Sequence, residues 1–350
     1  MSPAISPAKI GIADMADTKP ILIYRLGSLG DTIVALPCFH AIERAFPGRR
    51  RLVLTNVPVS TKAAPLAIIL EPGGLIDGVI DYPVGLRSFG PLWRLRKAIR
   101  ATGADTLVYM AAARGLKNVK RDMLFFHLCG LKTILCAPST ADLHDNRELP
   151  GGAQEPEAER LARTFAPLGS LDLSDRANWN LRLTAAETAA ADAALAPLDS
   201  LPFLAINIGG KVLPKDWGDD NWTALLAALA PSKGHMGMAA VGATEDSERS
   251  VAVLKTWPGP TANLCGKLRP RESAAVLGRA EAFIGHDSGP LHLAAASGTS
   301  TVGLFGDYNR PRKWHPYGSG HRPLHDMRGV RAITVEQVRD AVLGLTGAVA

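Results

Sequence analysis

Cysteine is scarce and widely spaced in this 350-residue chain. Its four cysteines, Cys38, Cys129, Cys136 and Cys265, form no C-x-x-C pair, which argues against a disulfide framework and against a zinc or iron–sulfur site. The sequence also lacks the roughly 18 to 20 uncharged apolar residues in succession that a membrane-spanning helix needs. We therefore expect four buried thiols in a protein without a transmembrane helix.

The first 19 residues contain no continuous apolar segment of the kind found in a signal peptide. We predict a flexible tail over residues 1–19 of a cytoplasmic protein. The remainder is of ordinary globular composition, 47% apolar and 21% charged. At roughly 100 to 200 residues per domain, its length predicts two domains.

The formal net charge of +6 arises in the N-terminal half of the chain. Residues 1–185 contain 23 Lys and Arg against 17 Asp and Glu, whereas residues 186–350 contain 16 of each kind. The basic residues concentrate in the segments 49–51, 87–100 and 114–132. This distribution predicts an anionic partner for the N-terminal half, although solvated helix faces would give the same pattern.

Apolar strands alternate with amphipathic helices along most of the chain. Strands are predicted at 21–26, 51–55, 79–82, 106–110, 203–208, 237–241, 282–284 and 301–305, and helices at 92–101, 122–129, 185–195, 222–230, 245–255, 289–296 and 335–345. Such alternation favours parallel sheets that helices cover on both faces. We therefore predict an α/β protein of two doubly wound, Rossmann-like domains facing a cleft, the expected place for a ligand.

A glycine-rich turn, Arg25-Leu-Gly-Ser-Leu-Gly-Asp31, follows the first predicted strand. Two glycines three residues apart permit a tight turn that brings backbone amides to the start of the next helix, where an anion can bind. The turn is neither G-x-G-x-x-G nor a P-loop, which disfavours the usual dinucleotide and ATP-hydrolysis sites. Asp31 is either a helix cap, the commoner role of Asp at such a place, or a functional carboxylate.

A second segment, Asp287-Ser-Gly-Pro-Leu-His292, joins a predicted strand to a helix. Pro290 suits the first turn of that helix. Ser288 and Gly289 then lie where free N–H groups and the positive end of the helix dipole attract a diphosphate. A capped structural helix is the alternative.

Between these segments, a loop follows the first strand of the second series. It carries Lys211 and Lys215, which are candidate counter-charges for phosphate. A loop lysine more often faces solvent, so the spacing alone decides little.

Together the three segments resemble glycosyltransferase family 9, the heptosyltransferase-type family. The family patterns R-x-G-x-x-G-D, K-x-W and D-S-G-P-x-H-L-A-A-A-x-G-T are similar to residues 25–31, 215–217 and 287–299. Residues 305–318, with their Phe-Gly, Trp and Pro-Tyr-Gly, resemble the family's closing segment. The resemblance extends over residues 20–345.

The resemblance implies a GT-B fold. Residues 20–190 would form an N-terminal acceptor-binding domain, residues 191–330 a C-terminal nucleotide-sugar (donor) domain, and residues 331–350 a helix that packs back toward the N-terminal domain. It also implies inverting transfer of a sugar without a metal or other cofactor. The family's usual donor is ADP-heptose, and its usual acceptor is a lipopolysaccharide core.

The motif match also implies roles for individual residues. Asp31 would be the general base that takes the proton of the acceptor hydroxyl. The donor-binding candidates are Lys215, Glu245, Glu248, Asp287, Ser288, Gly289, Pro290 and His292, with either Glu245 or Glu248 on the nucleoside. The early motif and the charge pattern make Arg25, Ser28, Gly30, Arg114, Lys117, Lys120 and Arg121 the acceptor-binding candidates. No metal ligand is expected.

Three places depart from the family pattern. Gly218 replaces the usual proline after Trp217, Ser300-Thr301 replaces the commoner Pro-Val, and Asp-Tyr-Asn at 307–309 stands where Pro-Thr is frequent. These departures bear on the choice of ADP-heptose as donor. Two alternatives stay open: another GT-B nucleotide-sugar enzyme such as an epimerase, since fold does not fix reaction, and an inactive nucleotide-sugar-binding assembly protein.

The expected partners follow from the same assignment. They are a nucleotide-sugar donor, an anionic glycolipid or glycan acceptor and, by weak peripheral contact, an anionic membrane surface, with no nucleic acid. The expected location is the cytoplasm, at the inner face of the cytoplasmic membrane. The cysteine spacings do not support the cysteine-bound iron of some protein-heptosylating relatives.

Overall fold

Two parallel β-sheets organise the chain in the computed structural model, which describes residues 18–56, 64–83, 89–112, 114–210 and 212–347. The strands are β1 (Ile21–Tyr24), β2 (Arg51–Thr55), β3 (Gly78–Asp81), β4 (Thr106–Tyr109), β5 (Thr133–Leu135), β6 (Phe203–Asn207), β7 (Gly237–Ala240), β8 (Thr261–Asn263), β9 (Ala282–His286), β10 (Thr301–Phe305) and β11 (His321–His325). The first sheet has the order β3-β2-β1-β4-β5 and the second β11-β10-β9-β6-β7-β8. The predicted α/β fold with two parallel sheets is confirmed.

Helices connect the successive strands. They are α1 (Leu29–Val34), α2 (Leu36–Ala45), α3 (Ala67–Leu70), α4 (Phe89–Ala101), α5 (Leu116–Leu128), α6 (Ala141–His144), α7 (Glu157–Thr164), α8 (Ala185–Leu195), α9 (Asp219–Lys233), α10 (Ser247–Leu254), α11 (Pro270–Leu277), α12 (Gly289–Ala296) and α13 (Val335–Thr346). Most of the predicted tail and Lys211 lie outside the described residues.

The alternating side chains of β1 show how the first sheet is covered on both faces. Ile21 and Ile23 pack in a core cluster with side chains of α1 and α2, whereas Leu22 and Tyr24 pack in another with side chains of α4 and α5. All four residues of β1 are buried. This central strand therefore ends inside the protein, and the glycine-rich turn follows directly at its carboxyl end.

The two halves share one hydrophobic core. The cluster that contains Ile21 also contains Phe203 and Ala205 of β6 and Leu291 of α12. Arg271 of α11 ties the halves together further, because its buried guanidinium donates to the carbonyl of Ile69, 2.8 Å away, and forms an ion pair with Glu187 at 2.6 Å. The sheets are thus held in a fixed relation, with α1 packed against α12.

The C-terminal helix differs from its prediction. Helix α13 packs against α9 and the second sheet, because Val338 and Val342 are buried in the cluster around Trp217 and Trp222. The main contacts of α13 within the described residues are therefore with the second half of the chain. The predicted domain boundary at 190 also falls inside α8, which packs as a whole on α11 of the second half.

The four cysteines are buried and unpaired, as predicted. Burial raises the pKa of the Cys265 thiol to about 11 and that of Cys136 to about 12, so these thiols stay protonated at neutral pH. No helix within the described ranges is long and apolar enough to cross a bilayer.

Candidate functional site

The turn after β1 holds Asp31 by its local geometry. Gly27 has φ +144°, and a β-carbon there would also come within 2.5 Å of the Asp31 β-carbon, so only glycine fits. Ser28 is the N-cap of α1 and donates its backbone N–H (2.7 Å) and its hydroxyl (2.9 Å) to Oδ2 of Asp31. Asp31 is therefore the third-position acid of a capping box.

One oxygen of this half-buried carboxylate stays available. Oδ1 of Asp31 accepts no hydrogen bond from any residue that the structure describes, whereas Oδ2 accepts two. An acceptor hydroxyl could donate to Oδ1 without disturbing the cap. The geometry is thus compatible with both of the roles that the sequence left open.

Arg25 lies beneath the turn and differs from the acceptor contact predicted for it. Its side chain is only 1% exposed. Nη1 donates to the carbonyl of Met110 at 2.8 Å, and Nη2 donates to the backbone carbonyl of Asp31. Arg25 supports the backbone that carries the carboxylate and is too deeply buried to reach a substrate.

The early and late motifs meet where α1 packs on α12. A β-carbon at Gly289 would come within 2.8 Å of Leu29, and one at Gly30 within 3.1 Å of Cδ2 of His292. Both glycines are therefore places of close approach between helices. Gly30 and Gly289 are 259 positions apart in the chain but lie against each other in the fold. Asp31 directly follows Gly30, so this contact brings Asp31 and the start of α12 into one site.

The start of α12 leaves its backbone donors open. Ser288 is the N-cap residue, but its side chain makes no capping hydrogen bond to the first turn. Its hydroxyl donates instead to Oδ1 of Asn207 (3.3 Å) and to the carbonyl of His286 (3.2 Å). Pro290 stands in the first turn, as predicted, where a missing N–H costs nothing. Such a helix start can bind an anion.

Lys215 is positioned beside this helix start. Its Nζ lies 2.6 Å from Oδ2 of Asp287 and 3.2 Å from the Asp287 carbonyl. Asn309 donates to the same carboxylate oxygen at 2.6 Å, and the ring of Tyr308 lies with its centroid 4.4 Å from Nζ. Sequence reasoning missed Tyr308 and Asn309, whose only signal was their departure from the family pattern.

His286 fixes the loop that carries Lys215. Its Nε2 accepts from the backbone N–H of Trp217 at 3.0 Å, so its Nδ1 carries the proton and donates to the carbonyl of Gly209 at 3.3 Å. Burial lowers the pKa of His286 to about 4. The ring is consequently neutral at pH 7, as these two hydrogen bonds require.

His292 belongs to the second segment and lies where α12 meets Gly30 of the first. It is buried in the first turns of α12, and its ring packs edge-on to Trp314, with centroids 6.4 Å apart. Burial lowers its pKa, against the opposing effect of Asp287 and Asp31. The His292 ring is therefore neutral at neutral pH.

The carboxylates after β7 are arranged differently from the prediction. Glu245 and Glu248 are exposed, whereas Asp246 is half-buried between them. Oδ2 of Asp246 accepts from the N–H of Ala243 at 2.9 Å, and a β-carbon at Gly242 would come within 2.8 Å of it. Asp246 is thus the carboxylate whose position is fixed by the loops that follow β6 and β7. In the sequence, the adjacent acidic residues 245–246 were the signal that could have identified it.

The basic residues at the start of α5 are partly neutralised. Buried Asp122 pairs with Arg114 at 2.7 Å and with Arg121 at 2.9 Å. Arg114 also donates to the hydroxyl of Tyr24 at 2.6 Å. Lys117 and Lys120 are exposed on the same helix. Arg121, with 65% of its side chain exposed, is the better placed of the two arginines to meet an anion.

Within the described ranges, no three His, Cys, Asp or Glu side chains are grouped so that they could hold a metal ion. The positive groups near the helix start are instead Lys215 and the backbone amides of α12. Their chemistry suits a phosphate group directly.

Comparison with known proteins places this chain in a family. Residues 93–326, about two thirds of the chain, match the model described as glycosyltransferase family 9 (heptosyltransferase). The chain is 30% identical over 106 residues to lipopolysaccharide heptosyltransferase 3 of Escherichia coli (strain K12). That alignment spans only 30% of the relative's length and 30% of this chain.

Solved structures share the fold over nearly the whole chain. The glycosyl transferase family 9 from Veillonella parvula DSM 2008 superposes with TM-score 0.72 at 18% identity, covering 95% of this chain and 99% of that one. E. coli heptosyltransferase WaaC with ADP-2-deoxy-2-fluoro heptose gives 0.63 at 18% identity, covering 92% and 98%. The architecture is thus GT-B, and by its match to the family model the chain belongs to glycosyltransferase family 9 (heptosyltransferase) and is a glycosyltransferase.

Proposed function

We propose that this protein is an inverting, metal-independent glycosyltransferase that moves heptose from ADP-heptose to a hydroxyl of a lipopolysaccharide-core or related glycan. The single observation that carries the proposal is the packing of α1 on α12, which sets Asp31 beside the start of the donor motif. The heptose-nucleotide analogue named with the E. coli relative supports the choice of donor.

The second half is proposed to hold the donor. The open amides at the start of α12 and the ammonium group of Lys215 would bind the diphosphate. Lys215 would exchange its Asp287 partner for phosphate, while Asn309 keeps its hydrogen bond to Asp287. Gly289, Pro290 and His292 would contact the donor on the first turn of this helix.

The nucleoside is proposed to meet a carboxylate after β7. Glu245 and Glu248 remain candidates from the family pattern, and Asp246 joins them because its position is fixed by the neighbouring glycines. A carboxylate there would accept hydrogen bonds from the ribose hydroxyls.

Transfer would then proceed in one displacement. The acceptor hydroxyl donates to Oδ1 of Asp31 and attacks the anomeric carbon from the face opposite the diphosphate. The bond from carbon to the diphosphate oxygen breaks as the new glycosidic bond forms, which inverts the configuration, and Asp31 keeps the hydroxyl proton. Lys215 and the α12 amides stabilise the charge that develops on the leaving diphosphate, so the step needs no metal.

The N-terminal half is proposed to bind the acceptor. Ser28 and Gly30 line the turn, and Lys117, Lys120 and Arg121 supply positive charge for an anionic glycolipid at the membrane surface. The part of the Arg114 side chain that stays exposed would add to this positive charge. Cytoplasmic location with peripheral membrane contact accompanies this proposal.

An assay of nucleotide release tests the function against its alternatives. We expect ADP release from ADP-heptose that depends on a lipopolysaccharide-core acceptor and persists in EDTA. Acceptor-independent conversion of the sugar would indicate an epimerase-like enzyme. Donor binding without release under any acceptor would indicate an assembly protein, and either result would refute the proposal.

A further inference from the structure

Two neighbouring helices of the N-terminal half expose large apolar side chains. Phe89 and Trp93 lie one turn apart on α4 and are 93% and 60% exposed. Leu124 and Leu128 lie one turn apart on α5 and are 62% and 61% exposed. Single exposed apolar residues are common on proteins, but pairs at this spacing place their side chains on one face of each helix.

The two helices form one continuous surface. Leu95 of α4 and Phe126 of α5 pack in the same core cluster beneath the first sheet's β1 and β4. Nε of Arg96 donates to the carbonyl of Leu128 at 3.0 Å, so the helices are direct neighbours. We call their outer surface, with Phe89, Trp93, Leu124 and Leu128, the α4–α5 face.

The charge on this face has one sign. The two helices contain seven Lys and Arg but a single acidic residue, Asp122. Asp122 is buried and already paired with two arginines. Nζ of Lys97 lies 5.6 Å from the centroid of the Trp93 ring, so cationic and apolar groups alternate at short range. The free charge that the α4–α5 face offers to a partner is therefore positive only.

We propose that the α4–α5 face docks on a lipid bilayer containing anionic phospholipids. Phe89, Trp93, Leu124 and Leu128 would enter the headgroup and upper acyl region, while the surrounding Lys and Arg meet lipid phosphates. A dissolved anion would bind the Lys and Arg side chains but leave the four apolar side chains exposed to water. A bilayer interface satisfies both, and tryptophan is favoured there because its ring is amphipathic.

Docking would bring the site to the membrane. Helices α4 and α5 begin at the carboxyl ends of β3 and β4, and the turn with Asp31 begins at the carboxyl end of the neighbouring β1. Phe89 and Trp93, in the first turns of α4, therefore lie toward the end of the sheet that carries Asp31, whereas Leu124 and Leu128 lie in the last turns of α5, so the α4–α5 face extends along the helices from that end. The consequence, presentation of a lipid-linked acceptor, rests on the proposed function, but the docking itself needs no sugar chemistry.

Sedimentation with vesicles tests the docking directly. At low salt we expect the protein to sediment with phosphatidylcholine vesicles that contain phosphatidylglycerol, and only weakly with phosphatidylcholine alone. The double variant Phe89→Ser/Trp93→Ser should bind at least about tenfold more weakly, since each large apolar side chain is no longer transferred from water. Lys97→Gln should bind about fivefold more weakly.

The chain offers matched controls. Met327→Ser removes a 53% exposed apolar side chain from the second half, and Lys255→Gln removes an exposed positive charge there. Both should sediment as the parent protein does. A melting temperature within a few degrees of the parent protein's confirms that each variant is folded, and this measurement does not depend on the proposed donor site.

Tryptophan emission gives a second measurement. Among the six tryptophans, Trp93 is the most exposed, Trp314 is half-buried and the other four are buried. We expect a blue shift on adding anionic vesicles that is lost in Trp93→Phe while this variant still sediments. An unchanged spectrum at saturating vesicles would contradict the insertion of Trp93.

Three outcomes would overturn the docking. One is equal sedimentation of the double variant and the parent protein. Another is failure of the folded parent protein to bind anionic vesicles. The third is a parent protein that binds no vesicles but forms a dimer that the double variant abolishes, which would assign the α4–α5 face to a second copy of the chain. Vesicle binding without sugar transfer would instead refute the proposed function and leave the docking intact.

Discussion

Replacing Asp31 with asparagine separates catalysis from capping. In the structure Oδ2 accepts from the N–H of Ser28 at 2.7 Å and from its hydroxyl at 2.9 Å. The amide oxygen of asparagine can accept both of these hydrogen bonds. The amide nitrogen would take the place of Oδ1, which accepts nothing from the described residues. The turn should therefore survive the substitution, while the site loses its proposed base.

The two effects differ greatly in size. Asparagine caps a helix about as well as aspartate, and losing one negative charge in the first turn costs about 0.3 to 1 kcal/mol of unfolding free energy. This corresponds to a melting temperature lower by at most a few degrees. Loss of a general base lowers turnover about 10²- to 10⁴-fold, or roughly 2.7 to 5.5 kcal/mol of activation free energy.

Turnover, ADP affinity and melting temperature should be measured together on Asp31→Asn. We expect a large loss of turnover with ADP affinity retained, because the proposed donor groups lie on the second half. Ser28→Ala is the matched control, since it removes the 2.9 Å hydrogen bond but keeps the carboxylate. It should lose less than about tenfold in turnover, whereas near-normal turnover of Asp31→Asn would refute the base assignment.

Four further results are expected. Lys215→Ala should bind ADP at least about tenfold more weakly by calorimetry, because a charge-assisted hydrogen bond contributes about 1.5 to 3 kcal/mol. Gly289→Ala should lower the free energy of unfolding by about 1 to 3 kcal/mol, since its β-carbon would meet Leu29 at 2.8 Å, whereas Gly344→Ala, which meets nothing within 4 Å, should not. Turnover should be unchanged by EDTA, and a loss that magnesium restores would contradict the metal-free mechanism. Burial lowers the pKa of His286 to about 4, so between about pH 4 and pH 6.5 this side chain gains a proton on unfolding. Its contribution to the free energy of unfolding should therefore be complete above pH 6.5 and fall as the pH decreases toward 4. The variant His286→Gln should show a flatter dependence of melting temperature on pH.

Burial decided which strands could be predicted. Strands β2 and β10 have the predicted bounds, and β6 ends within one residue of its prediction. The strands that were missed, β5, β8 and β11, are three of the four edge strands, and the fourth, β3, was predicted at 79–82 against the observed Gly78–Asp81. Edge strands are covered less and carry a weaker apolar signal. In β11 the central residue is Pro323, which an edge strand tolerates because one side of its backbone needs no partner.

The site was predictable where its chemistry is local. The capping geometry of Asp31 and the helix start at Ser288 each depend on a few successive residues, and both segments were found. The pairing of Lys215 with Asp287 joins residues 72 positions apart, and the position of Asp246 depends on Gly209 in the loop after β6 as well as on Gly242 in its own loop. Arg25 was misassigned because its place in a motif does not show that its side chain is buried beneath the turn.

The contact between α1 and α12 explains why both motifs carry a glycine at the interface. A β-carbon at Gly289 would meet Leu29 at 2.8 Å and one at Gly30 would meet Cδ2 of His292 at 3.1 Å, so a side chain at either position would press on the contact between the two helices. Separating the helices would move Asp31 away from the start of α12 without altering either group. The distance between the proposed base and the proposed leaving group is therefore set by the packing of two glycines. A substitution at Gly30, which lies outside the proposed donor-binding half, should lower turnover more than it lowers ADP affinity, since ADP needs only the second half of the site.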